Sequence, residues 1–191
     1  MKKFILLLIL FFGSILNVYA ETSRIISGNK NAKITIIAYE SLTCSHCASF
    51  HIDVYPQLKK DYIDTGLAKI EFRHFPLDLA AFNASKIAQC KNEQSLEILE
   101  SLYSDQQSWV KGNTVEEINN NLQKFIQNKG FKVDFQKCIN NKKIEDFVLN
   151  DRIEGAKKFK INSTPTIIIN NKKFEKSLNY KNLKKALEKL I

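Results

Sequence analysis

The sequence predicts an α/β protein in which a mixed β-sheet is interrupted by an all-helical insertion at about residues 78–159. Three observations predict it. Residues 34–39 and 69–75 carry strand patterns on either side of one helical stretch, which implies a right-handed parallel pair. From Asp78 to Phe159 the apolar period becomes helical. Residues 166–169 return to a strand pattern, followed by a turn and a closing helix, which adds antiparallel strands to the sheet.

Taken in order, the chain begins with Lys2 and Lys3, an apolar run over 4–16, and then Val18-Tyr19-Ala20. A positive start, an apolar middle and small residues before a cut make a secretory signal peptide, so residues 1–20 are expected to be removed after Ala20. An uncleaved anchor is the competing reading, but the run is shorter than the roughly 20 residues that span a bilayer. The mature domain is then 21–191. Residues 34–39 are β-branched and apolar on both faces, as a buried central strand is. A helix is expected from about Cys44, with Thr43 as its cap, through Ala48, Phe50, Ile52 and Leu58. Pro56 must kink or interrupt it, because proline has no N–H to donate. Residues 69–75 alternate as a second strand.

Inside the insertion, apolar residues recur at three- and four-residue spacings over 80–103. Thr114-Val115-Glu116-Glu117 is a capping box that opens a helix ending near Gly130. Amphipathic stretches surround Cys138 and cover 144–159. After the strand at 166–169, Asn170-Asn171 reads as a turn into a short strand near Phe174. Residues 180–191 read as a helix with Leu183, Leu187 and Leu190 on one face.

Composition excludes several classes. Hydrophobic residues at 44% and charged residues at 26% are ordinary for a soluble globular chain, and four cysteines are too few to replace a core. The formal charge of +9 includes Lys2 and Lys3, and the other lysines are scattered, with only short clusters such as Lys157-Lys158 and Lys184-Lys185. In an exported chain this is a solvated basic surface, useful at most near anionic membranes, and not a nucleic-acid site.

The chemistry lies in Cys44-Ser45-His46-Cys47, placed where a central strand turns into a helix. Cys44 sits at the first helical turn, where unpaired N–H groups and the helix dipole favour an anion and lower the thiol pKa. Cys47 lies one turn further in, close enough to close a small disulfide ring. Cys44 is therefore assigned as the attacking and attacked sulfur, and Cys47 as the shielded thiol that resolves the mixed disulfide. His46 adds a donor or partial positive charge beside Cys44. Each unit of pKa below ambient stabilises the reduced form by about 1.4 kcal/mol, or roughly 30 mV for two electrons. The competing readings are an inert disulfide or half of a zinc site. Zinc lacks ligands, because one helix face does not gather His46, His51 and both thiols. No metal is expected, and His51 reads as a partly buried helix residue.

The segments Leu42-Thr43-Cys44-Ser45-His46-Cys47, Arg73-His74-Phe75-Pro76-Leu77-Asp78 and Ser163-Thr164-Pro165-Thr166 resemble the DsbA family of bacterial periplasmic oxidoreductases, and Trp109 with the Cys90 and Cys138 pair resembles one branch of it. The resemblance covers nearly the whole mature chain. It implies a thioredoxin fold in which Pro165 is cis and faces the cysteines, Thr164 offers its backbone to an extended substrate, and the protein works in the periplasm. It also implies a DsbB-like, quinone-linked membrane partner as reoxidant. Two departures stand out. Ser-His separates the cysteines where the best-known members have Pro-His, and the buried acid of the preceding strand is displaced to Glu40, a candidate for proton transfer. Cys90 and Cys138 fall in helical segments of an exported chain, where a structural disulfide is expected over a second redox relay.

The expected function is a dithiol oxidase that introduces disulfides into exported proteins with reduced cysteines. The alternatives are a disulfide isomerase or reductase of the same fold, or a non-enzymatic exported binding protein. No NAD or flavin motif is present, so no cofactor is expected beyond the cysteine pair, and a monomer is expected.

Overall fold

The computed structural model describes residues 22–91 and 93–191. The signal peptide read over residues 1–20 lies outside them. Among the described residues no helix is long and apolar enough to cross a membrane.

Among the described residues five strands form one sheet in the order β1-β3-β2-β4-β5: β1 (Ile25–Gly28), β2 (Ile34–Glu40), β3 (Ala68–His74), β4 (Thr166–Ile169) and β5 (Lys172–Lys173). β2 and β3 are parallel, with Ile36 opposite Ile70 and Glu40 opposite His74. β4 runs antiparallel to β2, placing Thr166 opposite Tyr39. The β-branched content of β2 suits a central strand flanked on both sides, and all but one of its residues are buried. β3 alternates buried and half-buried residues, as its sequence pattern requires. β1 escaped the sequence reading. Its four residues pair antiparallel with β3 at the sheet edge, where the partner strand rather than local pattern decides the conformation. The Asn170-Asn171 turn has φ of 45° and 64°, the left-handed pair of a tight hairpin. β5 covers Lys172–Lys173, and Phe174 N–H still reaches the Ile167 carbonyl at 2.9 Å.

The crossover between β2 and β3 is helical throughout residues 45–63. It consists of α1 (Ser45–Ser49), a wide π turn (Phe50–Val54), α2 (Tyr55–Leu58) and a second π turn (Lys59–Ile63). Pro56 sits in the first turn of α2. The missing N–H is absorbed by a wide turn, so the helix is interrupted in hydrogen bonding without ending.

Between β3 and β4 lie α3 (Leu79–Gln89), α4 (Ser95–Ser104), α5 (Gln106–Trp109), α6 (Val115–Asn128), α7 (Phe135–Ile139) and α8 (Lys142–Phe159). α6 opens with the full capping box: Glu117 N–H donates to Thr114 Oγ1, and Thr114 N–H donates to Glu117 Oε2. Gly130, at φ 78°, closes it. The closing helix α9 spans Tyr180–Leu187, burying Leu183 and Leu187. Leu190 lies beyond its end, 45% exposed, so the sequence reading extended this helix too far.

One large apolar cluster joins β2 and β3 to α1, α3, α4, α6 and α9, with Ile36, Phe72, Cys47, Ile87, Leu102, Trp109 and Leu122 among its members. The other face of the sheet carries a small cluster of Ile37, Tyr39, Phe75, Ile161 and Ile168 beneath the end of α8. Gly155 allows this approach: a Cβ there would stand 2.8 Å from the Tyr39 ring.

Candidate active site

The C-terminal ends of β2 and β3 and the N-terminus of β4 meet at one end of the sheet, and the cysteine motif leaves β2 there. Cys44 occupies the N-cap of α1 in extended conformation, and Cys47 is fully buried one turn on. Thr43 does not cap the helix. Its hydroxyl donates to Asp78 Oδ2 at 2.6 Å, because a carboxylate arriving from the next loop outcompetes a backbone N–H. Asp78 in turn caps α3 by accepting from Ala81 N–H at 2.7 Å. Ser41 Oγ accepts from Leu77 N–H, and Phe75 N–H donates to the Glu40 carbonyl, so the 73–78 segment clamps the loop before Cys44.

Both motif thiols are free, and the two differ sharply. The Cys44 thiol is lowered to about 5, first by a hydrogen bond from the Cys47 side chain and then by Thr164 and the backbone N–H groups of Cys47 and His46, against an opposing burial effect. Burial, above all, pushes the Cys47 thiol far upward, and the adjoining Cys44 and Glu40 charges push the same way. The His46 side chain is exposed, so the contribution visible from this residue is its backbone N–H.

The Thr164–Pro165 peptide bond is cis, and the Thr164 carbonyl oxygen lies 3.5 Å from Cys44 Sγ. The Thr164 hydroxyl is buried without an oxygen or nitrogen partner, facing the sulfur environment it modifies. A groove of about 490 Å³ runs past this point, lined by His46, Phe50, Val54, Pro165, Leu178 and Tyr180 among others.

Glu40 and His51 form a buried pair that the sequence reading did not connect. His51 Nε2 and Glu40 Oε2 are 2.9 Å apart, with side chains only 3% exposed on each partner. The His51 ring stacks on Tyr103 of the insertion, centroids 4.1 Å apart. Burial raises the Glu40 pKa, with His51 opposing. His51 is thus more deeply enclosed than its sequence position indicated. Gln106, which the sequence did not mark at all, reaches the motif from α5, its Nε2 donating to the Leu42 carbonyl at 2.8 Å.

Cys90 and Cys138 are joined by a disulfide, Cα atoms 5.6 Å apart, which links the end of α3 to α7. Among the described residues no group of three or more His, Cys, Asp or Glu side chains could hold a metal ion. A fold of this kind, with two thiols opposed in acidity beside a cis proline, can exchange with a disulfide presented in the groove or, once oxidised to Cys44–Cys47, with a thiol presented there.

The comparisons agree with this arrangement. The family model described as thioredoxin matches residues 20–189. A putative protein-disulfide oxidoreductase of Rickettsia prowazekii is 27% identical across 90% of this chain, which spans only 62% of that protein's length. A probable disulfide bond formation protein D of Bacillus anthracis is also 27% identical, with 90% of this chain and 80% of that protein covered. Among solved structures, the alpha-DsbA1 of Wolbachia pipientis is 32% identical at a TM-score of 0.78, covering 87% of this chain and 90% of that one. The chain therefore belongs to the thioredoxin family and, within it, to the DsbA branch.

Proposed function

We propose that this protein is a dithiol oxidase that introduces disulfides into exported proteins. The observation that carries the reading is the opposition of the two thiols: Cys44 ionises at about 5 while Cys47 is held protonated by its burial. A thiol of such low pKa is a good leaving group, and its stability as a thiolate favours the reduced enzyme, which makes the disulfide form oxidising.

In the proposed cycle a client thiolate attacks Cys44 Sγ of the Cys44–Cys47 disulfide. The intramolecular S–S bond breaks, a client–Cys44 bond forms, and Cys47 leaves and takes a proton. A second client thiolate then attacks the client sulfur, and Cys44 departs as a thiolate. The client loses two electrons and the enzyme gains them. The resolving role read for Cys47 from the sequence runs against net oxidation, since attack by Cys47 returns the client thiol. Its burial and high pKa keep that return slow. Glu40, beside Cys47 and paired with His51, is placed to exchange the proton Cys47 takes up or releases. The Thr164 backbone, next to cis-Pro165, offers an extended client chain a strand-like partner beside Cys44. His46 lines the same groove.

The disulfide Cys90–Cys138 has a structural role in this reading, and no cofactor or metal takes part. Reoxidation falls to a membrane quinone-linked partner resembling DsbB. The protein works as a monomer in the periplasm after cleavage behind Ala20, and a mature N-terminus at Glu21 would be found by sequencing. The test is oxidation of a reduced dithiol client set against refolding of a scrambled disulfide client. The oxidase reading expects the first to dominate and to vanish in Cys44→Ser. Faster unscrambling than oxidation makes the protein an isomerase, and undiminished biological activity of Cys44→Ser makes it a binding protein.

A further inference from the structure

Gln106 opens α5 and is 7% exposed, yet it belongs to the insertion and not to the redox loop. Its Nε2 bridges two backbone acceptors, the Leu42 carbonyl at 2.8 Å and the Cys44 carbonyl at 3.0 Å. Carbonyls only accept, so the amide can face them only with its NH2 end, and both its hydrogens are used. The insertion holds this residue firmly: three positions on, Trp109 is fully buried, and its indole N–H donates to the Leu102 carbonyl at 2.9 Å.

The Cys44 carbonyl is crowded. Besides Gln106 it receives Cys47 N–H at 3.1 Å and Ala48 N–H at 3.2 Å. A carbonyl oxygen has two lone pairs for these three donors. Cys47 N–H is also one of the groups that stabilise the Cys44 thiolate. It is therefore shared between an oxygen and a sulfur of the same residue. When Gln106 and Ala48 fill the oxygen, the hold of that oxygen on Cys47 N–H weakens, and the sulfur keeps the donor.

We propose that Gln106 is a positioning residue that ties the helical insertion to the redox loop and, by occupying the Cys44 carbonyl, leaves the Cys47 N–H to the Cys44 sulfur. The role rests on the thiol-exchange reading of the pair, and it makes the insertion a tuning element for Cys44. It also gives a reason for a buried glutamine at a place where an apolar side chain would pack as well.

The test is ultraviolet titration of the Cys44 thiolate in the reduced full-length protein, together with the thiol–disulfide equilibrium constant against glutathione. Gln106→Met keeps length and bulk but cannot donate. The expected result is a titration midpoint higher by about one unit and an equilibrium constant changed about tenfold toward the oxidised protein. Leu122→Ala loosens the same insertion without touching either carbonyl and is expected to leave the midpoint in place. An unmoved midpoint in Gln106→Met, or an equal move in Leu122→Ala, overturns the proposal. The unsubstituted protein supplies a second measurement should Gln106→Met not fold. The Gln106 side-chain amide resonances are expected to follow the Cys44 titration, and resonances indifferent to it also overturn the proposal. A wild-type midpoint at the ordinary thiol value would instead sink the redox reading itself, so the two failures are distinct.

Discussion

At the scale of single residues, the ionisation of Cys44 sets a pH dependence. Its folded pKa is about 5 against an ordinary 9.0. The reduced folded state therefore gains stability as pH rises from about 5 toward 9, and loses it as pH falls back through 5. Unfolding of reduced wild type and Cys44→Ser in denaturant is expected to differ most at pH 9 and above and to converge by pH 4. A gap that ignores pH would leave the sulfur an ordinary thiol. The Cys44-Ser45-His46-Cys47 spacing made this chemistry legible in the sequence, because the helix start acts within one turn of itself. The Glu40–His51 pair was not legible, since it joins a strand end to a helix eleven residues on, and only the fold brings them to 2.9 Å. Gln106 stands further still from its acceptors, 62 and 64 residues along the chain. Thr43 looked like a cap for want of any local sign of Asp78.

At the scale of elements, β2 and β3 were readable because β-branched and alternating residues declare themselves over seven positions. β1 has four residues and takes its conformation from β3, so no window of its own sequence reveals it. The contact of α8 with β2 turns on one missing methyl group. A Cβ at Gly155 would come within 2.8 Å of the Tyr39 ring and 3.3 Å of the Ile161 side chain. Helix propensity alone favours alanine there by about 1 kcal/mol, but overpacking costs about 1–3 kcal/mol. Gly155→Ala is therefore expected to destabilise by about 1 kcal/mol, read as a lower denaturant midpoint with an unchanged slope. A stabilised variant would mean that α8 can lift off the sheet without cost.

At the scale of the whole molecule, the disulfide Cys90–Cys138 closes a loop of 48 residues in sequence separation, worth roughly 4 kcal/mol in the chain-entropy model. Replacing both cysteines with alanine is expected to lower the unfolding free energy by about 2–4 kcal/mol while Cys44 still reacts with alkylating agents at the wild-type rate. Loss of that reactivity would instead place the second pair in the redox pathway. The insertion and the sheet share one apolar cluster, so both are expected to unfold in a single transition. Trp109, the only tryptophan, is fully buried within the insertion, and its emission reports on that half. Coincidence of its curve with the loss of far-ultraviolet circular dichroism is the expected outcome, and two separated curves would divide the molecule. This joint core bears on engineering. Residues 78–159 cannot be lifted out as a cassette or traded for another loop, since Leu102, Trp109 and Leu122 would leave Ile36, Phe72 and Cys47 facing water, and a truncated chain would aggregate before any sulfur could be assayed.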